Sequence, residues 1–282
     1  MAKELGLEVA VIDDGKKKSG SRNAAGLLST SWFSGKFFSK IQPNWWDSKC
    51  FDYGVEILTE FAKLRKVGED VLPFYGENIG KKRFNSKVWI LDDLIGFLDS
   101  YSNKIDGKVV RLEKIPTGWK LLSTGGEIAR SKKVLIAAGV WSNQLLEASG
   151  ICPIVVDPLP GRAVFIRDKK PITRPLRVLR SPYQHITFRP WINGLMRVGD
   201  TVEATELSQS KLDVLTGESD RMFPFAKLEK VIYGFRPVTP KVYVEKAAEG
   251  LVVATGGHRI GFGMSPAVAK RVLALLGLGE LK

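Results

Sequence analysis

The sequence predicts an α/β fold that carries a β-rich insertion. Three short apolar runs, at residues 8–13, 133–139 and 251–254, have the β-branched composition of buried parallel strands. The last two of these runs are followed by predicted helices. Between residues 152 and 245 the pattern changes to many short strands interrupted by proline and glycine. We therefore expect one parallel sheet and a second, mixed or antiparallel sheet inserted into it.

The first of these strands ends in two acidic residues, Asp13 and Asp14. In dinucleotide-binding folds, an acidic side chain at the end of the second strand hydrogen-bonds a ribose. The first strand of such a fold and its glycine motif would precede residue 8, and the sequence contains no such unit in a suitable context. Because that strand is central, we expect two unpaired strand edges. Another chain or an extension fills them, or they stay open and ligand binding is weakened.

The segments between the strands carry further predicted structure. A loop of small residues at 20–26 lets the backbone approach a ligand closely. Apolar periodicity predicts helices at 51–66 and 91–101 and a third at 142–149. Alternation between 109 and 126 predicts a small antiparallel meander.

The C-terminal strand leads into a glycine-rich turn at residues 256–264 and then into a helix. Ser265 is suited to cap this helix, Pro266 to occupy its first position and Gly277 to end it. A helix N-terminus presents backbone N–H groups and the positive end of a dipole. The turn is therefore predicted to bind a planar or anionic group, although an ordinary strand–helix connection has the same pattern.

The composition is that of a folded globular protein: of 282 residues, 44% are hydrophobic and 26% are charged. A net charge of +13 comes from basic clusters scattered over predicted loops. We therefore expect an anionic cofactor or substrate, with nucleic acid an unlikely partner. Two cysteines and two histidines, widely separated in sequence, predict neither a disulfide framework nor a metal site and favour a cytoplasmic location. No apolar run is long enough to cross a membrane.

A series of motifs resembles the D-amino acid oxidase superfamily of FAD-dependent oxidoreductases. The motifs are VAVIDD, SRNAAGLL, VLIAAGVWSNQLL, DPLPGRAVFIR, RVGDTVEAT and GFRPVTPKVYVE with the following VVATGGHRIGFGMSP, in family order over essentially the whole chain. The resemblance implies an FAD/NAD(P)-binding Rossmann-like domain at 1–33, 88–150 and 246–282, discontinuous and with its first strand missing. It implies a β-rich substrate domain at 34–87 and 151–245. The departure from the family pattern is the absent first strand with its G-x-G-x-x-G motif.

The resemblance also implies where FAD is held. Asp13 would bind the adenosine ribose, residues 21–27 would pass over the pyrophosphate, and residues 256–264 would wrap the flavin pyrimidine. The implied contacts are strand ends, small residues and backbone amides: Asp13, Asp14, Ser21, Arg22, Asn23, Ala24, Ala25, Gly26, Leu27, Val109, Val110, Ala138, Gly139, Trp141, Gly257, His258, Arg259, Ile260, Gly261, Phe262, Gly263 and Met264.

The same resemblance implies that an arginine binds a substrate carboxylate. Arg236 in the GFRP motif resembles D-amino acid oxidase, and Arg259 in the glycine turn resembles glycine oxidase. A guanidinium matches a carboxylate in bidentate fashion and orients it. The implied catalytic residues are therefore Arg236 and Arg259, and the implied reaction is hydride transfer from a small amine or amino acid to flavin N5.

Three functions stay open from the sequence. The first is an FAD-dependent amine or amino acid oxidase or dehydrogenase. The second is a flavin-less truncated homologue, or one half of a two-chain enzyme, that acts as a binding or scaffold protein. The third is a tRNA-modifying flavoenzyme of the same superfamily. The expected partners are a small amine or amino acid and a partner chain that supplies the missing first strand.

Overall fold

The computed structural model describes most of the chain. The described residues are 5–15, 19–20, 22–23, 27–29, 40, 42–62, 65–69, 74–75, 87–90, 96, 100, 103–173, 175–181, 184–199, 207–258 and 260–279. The helix predicted at 91–101 lies largely outside these ranges. Five predicted site residues also lie outside them: Ser21, Ala24, Ala25, Gly26 and Arg259.

Seventeen strands are present in the described ranges. They are β1 Val11–Asp13, β2 Leu27–Ser29, β3 Arg65–Glu69, β4 Phe74–Tyr75, β5 Lys87–Ile90, β6 Lys104–Asp106, β7 Arg111–Ile115, β8 Gly118–Ser123, β9 Gly126–Ser131, β10 Val134–Ile136, β11 Asp157–Arg167, β12 Leu176–Ser181, β13 Gln184–Pro190, β14 Leu195–Gly199, β15 Lys227–Val238, β16 Tyr243–Ala248 and β17 Leu251–Thr255.

The same ranges contain four α-helices and two short 3-10 turns. The helices are α1 Ser48–Ala62, α2 Ser142–Ala148, α3 Gln209–Met222 and α4 Gly261–Leu275, and the 3-10 turns are Gly139–Trp141 and Ile192–Gly194. None of the helices in this described part is long and apolar enough to span a membrane.

The central sheet is β10–β17–β16, in which β10 and β17 are parallel and β16 is antiparallel. Side chains of β17 alternate between two cores. Val252 packs with α4 and with Trp46 before α1, whereas Leu251 and Val253 pack with α2 and the meander β7–β8–β9. Each face of β17 is therefore covered, which explains why residues 251–254 form a continuous apolar run. The predicted buried parallel strand and the predicted meander are confirmed.

A separate pair, β1 and β6, is also parallel. Within the described residues β1 pairs only with β6, and β10 pairs only with β17. All three residues of β1 are half-buried, and Leu135 in the middle of β10 is 44% exposed. The two sheets are linked, because the Gly107 amide bonds to the Asp13 carbonyl and Val109 packs against the core that β10 lines. Among the described residues, β1 and β10 are thus each paired along one edge.

The inserted region forms a six-stranded sheet in the order β15–β11–β14–β13–β12–β4. Only β12 and β4 are parallel, so the predicted mixed sheet is confirmed. Helix α3 covers one face of it through Leu215 and was not predicted. Its sequence carries Gly217 in the helix interior, which costs about 1 kcal/mol of helix propensity. Burial of its apolar side against the sheet outweighs that cost.

Helix α4 begins one turn earlier than the sequence predicts. Its first residue is Gly261, so Pro266 lies inside the helix and Ser265 does not cap it. Proline has no N–H for the carbonyl of Phe262, and the Ser265 hydroxyl donates to that carbonyl instead at 2.8 Å. The predicted end at Gly277 is confirmed: its φ is 67°, and its amide bonds to the Ala274 carbonyl at 3.0 Å.

Candidate functional site

The candidate site lies where β10 and β17 end, because parallel neighbours finish at the same edge of a sheet. Strand β10 leads to Ala138 and to the 3-10 turn that begins at Gly139, and β17 leads to the glycine-rich turn. The Thr255 hydroxyl donates to the Gly139 carbonyl at 3.0 Å and fixes the two strand ends together. This hydroxyl was not predicted, since a threonine at the end of a strand has no distinctive pattern.

The end of β15 reaches the same place from the inserted sheet. Phe235 forms a bridge with Ser19, and a Cβ on Gly20 would lie 2.9 Å from the Phe235 carbonyl oxygen. Two residues further along, the Pro237 carbonyl accepts the His258 amide at 3.1 Å. Arg236 therefore lies between the turn that carries Asn23 and the glycine-rich turn after β17.

The glycine-rich turn requires its glycines. Gly256 has a φ of 81° and packs against the Thr239 side chain, so a larger residue is excluded. A Cβ on Gly257 would lie 2.7 Å from the Cα of Gly261, closer than real contacts allow. His258 also adopts a left-handed backbone, with a φ of 43°. The turn is consequently folded back tightly on the first residue of α4.

The N-terminus of α4 has no side-chain cap at Ile260. The side chains of Ile260 and Met264 are buried in the core, and the Met264 amide bonds to the Ile260 carbonyl at 3.0 Å. The carbonyl of Gly263 faces α1, where a Cβ on Gly54 would lie 2.8 Å from it. The amides of Gly261 and Phe262 belong to the first turn of the helix, where backbone N–H groups have no partner within the helix and the dipole is positive.

Asp13 lies at the end of β1, as predicted, and its carboxylate is already engaged. The Gly15 amide donates to one oxygen and the Arg22 guanidinium donates to the other, each at 3.0 Å. Both oxygens keep a further lone pair, so a ribose hydroxyl is able to share the group. The Asp13–Arg22 pair joins β1 to the turn that carries Asn23.

The remaining predicted cofactor contacts lie on several different elements. Val109 and Val110 follow β6, the neighbour of β1, and the Val110 amide bonds to the Leu122 carbonyl at 2.7 Å. Trp141 ends the 3-10 turn, and Leu27 begins β2, which pairs with β5. Asp14 follows β1 and is exposed.

A cavity of about 850 Å³ lies beside the edge strand β16 and reaches Thr239, which packs against Gly256. Trp45, Val155, Tyr243 and Arg271 are among the residues that line it, and none of the predicted site residues does. Burial raises the pKa of the Tyr243 phenol, and the nearby charges of Glu245 and Cys152 raise it further. We assign the site to the strand ends, because the tight turns and the uncapped helix are there.

A model of the family described as FAD dependent oxidoreductase (DAO) matches residues 104–275, which is more than half of the chain. The chain belongs to this family of FAD-dependent oxidoreductases. The match begins at β6 and ends with α4, so it includes Arg236 and the glycine-rich turn. No curated protein matches the sequence.

Solved structures of this family share the fold over nearly the whole chain. Glycine oxidase from Bacillus cereus has a TM-score of 0.71 and 16% identity, over 99% of this chain and 91% of its own. L-proline dehydrogenase from P. horikoshii has a TM-score of 0.70 and 16% identity, over 100% and 90%. Iminodiacetate oxidase from Chelativorans sp. BNC1 has a TM-score of 0.66 and 14% identity, over 99% and 91%. The α/β fold with its antiparallel, β-rich region is therefore that of the family.

Two observations test whether these residues fit FAD. Gly139 and Gly261 both open onto free space, since a Cβ on either would meet no atom within 4 Å. The strand ends and the first turn of α4 thus leave open space beside these two glycines, where the family resemblance implies the flavin. Of the loop predicted to pass over the pyrophosphate, the described residues are Arg22, Asn23 and Leu27, and the described part of the chain has no helix between β1 and β2.

Proposed function

We propose that this chain oxidises a small amine or amino acid with FAD. The position of Arg236 carries the proposal. This residue is held between two turns that the family resemblance assigns to the cofactor, because Phe235 bridges to Ser19 and Pro237 accepts the His258 amide. A carboxylate bound to Arg236 is thereby held next to the proposed flavin.

In this proposal the chain supplies orientation and charge stabilisation. The planar guanidinium of Arg236 binds the substrate carboxylate in bidentate fashion and directs the α-carbon towards the ring. Bound FAD supplies a hydride acceptor at N5. The amides of Gly261 and Phe262, with the α4 dipole, stabilise negative charge at the pyrimidine edge. Arg259 remains a second predicted carboxylate ligand.

Anaerobic mixing tests the function directly. FAD-loaded protein is mixed with a panel of glycine, D- and L-amino acids and N-methylated amines, and the visible flavin absorption is followed. We expect at least one small amino acid or amine to bleach it, with ammonia or an amine as a product. The proposal is wrong if FAD binds and no member of the panel reduces it.

We also propose that a further strand completes FAD binding between β1 and β10. The open edges of these two strands and the exposed Leu135 support this. A parallel strand there would pair with both edges and cover Leu135. The turn after it would place a helix N-terminus at the pyrophosphate, which is the part that the described residues lack.

A fusion protein measures how much such a strand strengthens FAD binding. The strand–glycine–helix unit of a related oxidase is joined before residue 5, and FAD affinity is compared with that of the chain alone. We expect at least about tenfold tighter binding, which corresponds to about 1.4 kcal/mol. The matched control carries the same unit with its G-x-G-x-x-G glycines changed to alanine, and it should give no gain. Equal affinity of the chain and the fusion would contradict the proposal.

A further inference from the structure

The cavity beside β16 is a second candidate ligand site. Its volume is about 850 Å³, within the range of about 300–1,000 Å³ that is usual for small-molecule sites. It lies along β16, which pairs only with β17 among the described strands. Arg271 lines it from α4, ten residues after Gly261, and ten helical residues span about 15 Å. The Arg271 side of the cavity is therefore well separated from the proposed flavin position.

Arg271 is the main polar feature of this cavity. Its side chain is half-buried, and its Nε–H group is fully buried with no hydrogen-bond acceptor among the described residues. A buried donor that loses its water contacts and gains no acceptor costs stability, and the cost is larger when the group is charged. An acceptor on a ligand in the cavity would remove this cost. Arg271 is therefore the residue around which we look for a ligand.

The charge on the α4 side of the cavity is positive. Val242 and Val244 pack with α4, so the next residue, Glu245, points to the opposite face of β16. Glu245 is the one acidic residue among the described residues that line the cavity. Lys241 also lines it, and its Nζ donates to Oδ1 of Asn44 at 3.0 Å. The side of the cavity that α4 forms therefore attracts an anion.

Apolar and aromatic side chains form most of the remaining wall. Trp45 lies on the α4 side, where it packs against the core that α4 lines. Tyr243 and Ile154 lie on the other side and pack against the core of α2 and the meander. Val155 also lines the cavity, and it is 73% exposed. The cavity therefore combines a positive group with walls that suit an apolar, ring-shaped body.

We propose that this cavity binds an aromatic carboxylic acid. The carboxylate accepts bidentate hydrogen bonds from the Arg271 guanidinium, one of them from the buried Nε–H, and the aromatic ring packs against Trp45. The inference goes beyond the proposed function, because the acid is bound at this second site and is not oxidised. One end of the cavity is Thr239, which packs against Gly256 of the glycine-rich turn, so binding is measured with and without FAD.

The probes are naphthoate, indoleacetate and biphenylcarboxylate. Each is paired with its own primary amide, which has nearly the same shape but no charge, and acetate supplies a carboxylate without a ring. Isothermal titration calorimetry measures their binding to FAD-free and FAD-loaded protein. We expect at least one aromatic acid to bind about tenfold tighter, or more, than both its amide and acetate. The difference between acid and amide is called the acid preference below.

Variants of α4 assign the acid preference to one side chain. In R271M the preference should disappear, because methionine keeps an apolar stem but has no charge. R271K keeps the charge and loses the planar fork, so its preference should be intermediate. K270M is the matched control: Lys270 is the preceding residue, is exposed and lies over the Tyr53 ring, so K270M should keep the preference.

A second pair of variants leaves the buried residues unchanged. V155D adds a carboxylate to the cavity wall, and V155N adds a neutral amide of the same size. Both should fold, because Val155 is 73% exposed. The new carboxylate repels the acid and competes for the guanidinium, so V155D should bind the acid at least about threefold more weakly than V155N. Binding of the neutral amide probe should be the same in both.

Several outcomes would overturn the inference. One is that no acid is preferred over its amide, and another is that the preference survives in R271M or is equal in V155D and V155N. Loss of the preference in R236L would assign the acids to the substrate site, and abolition of binding by saturating FAD would assign them to the cofactor site. Failure of the proposed function is distinct: no amine or amino acid would then reduce FAD-loaded protein, whether or not the acids bind.

Discussion

Replacing Arg236 by leucine is expected to raise KM for the amino acid substrate by roughly 30- to 5000-fold while FAD stays bound. This range corresponds to about 2–5 kcal/mol for removal of one partner of a buried, hydrogen-bonded charge pair. Arg236 lies between the turn with Asn23 and the glycine-rich turn, because its neighbours Phe235 and Pro237 contact those turns. These are backbone contacts, so they do not depend on the Arg236 side chain. Steady-state kinetics measures KM, and a flavin titration measures FAD affinity, so an effect on substrate binding is separated from an effect on the cofactor.

The control is K230L on the same strand, where the side chain is exposed and far from the turns. It should leave both KM and FAD affinity unchanged. An R236K variant keeps the charge but loses the bidentate fork, so its KM should lie between those of the wild type and R236L. If KM is unchanged in R236L, Arg236 is not the carboxylate ligand and Arg259 becomes the remaining predicted one.

Replacing Gly257 by alanine is expected to weaken FAD binding by about tenfold or more, or roughly 1.4 kcal/mol. The new Cβ would lie 2.7 Å from the Cα of Gly261, and because that atom belongs to the backbone, the turn must move away from the first residue of α4. The amides at the helix N-terminus then no longer face the ring position. Fluorescence titration with FAD measures the effect, and thermal melting reports how much stability the turn loses.

The G261A variant is compared with G257A, because both add one methyl group to this turn. A Cβ on Gly261 meets no protein atom within 4 Å, and alanine favours the helix by about 1 kcal/mol over glycine. The FAD-free protein should therefore be as stable as the wild type or more so. If the free space beside Gly261 is where the flavin lies, FAD binding should nevertheless weaken. Unchanged FAD affinity in G261A would show that the ring lies elsewhere.

The sequence predicted the strand ends well and the tertiary contacts between them poorly. Gly139 and Gly256 each follow a short apolar run, so their positions at one sheet edge follow from the parallel arrangement alone, whereas Asp13 ends β1 in the separate β1–β6 pair. The predicted start of α4 was wrong. Ser265 and Pro266 form a good local start signal, but Ile260 and Met264 pack into the core and extend the helix towards its N-terminus. Burial of apolar side chains outweighed the local signal.

Other features depend on contacts between distant segments, which no local pattern reports. The Arg22–Asp13 ion pair and the Ser19–Phe235 bridge join residues whose partners are visible only in three dimensions.

Amide hydrogen exchange at the first turn of α4 tests the central claim most directly. In the proposed complex the backbone amides of Gly261 and Phe262 face the flavin pyrimidine. Exchange is measured by mass spectrometry on the chain with and without saturating FAD, with the C-terminal end of α4 as internal reference. Slower exchange of these two amides when FAD is present, with no change at residues 270–275, is the predicted result. Saturating FAD that leaves their exchange unchanged would contradict the account.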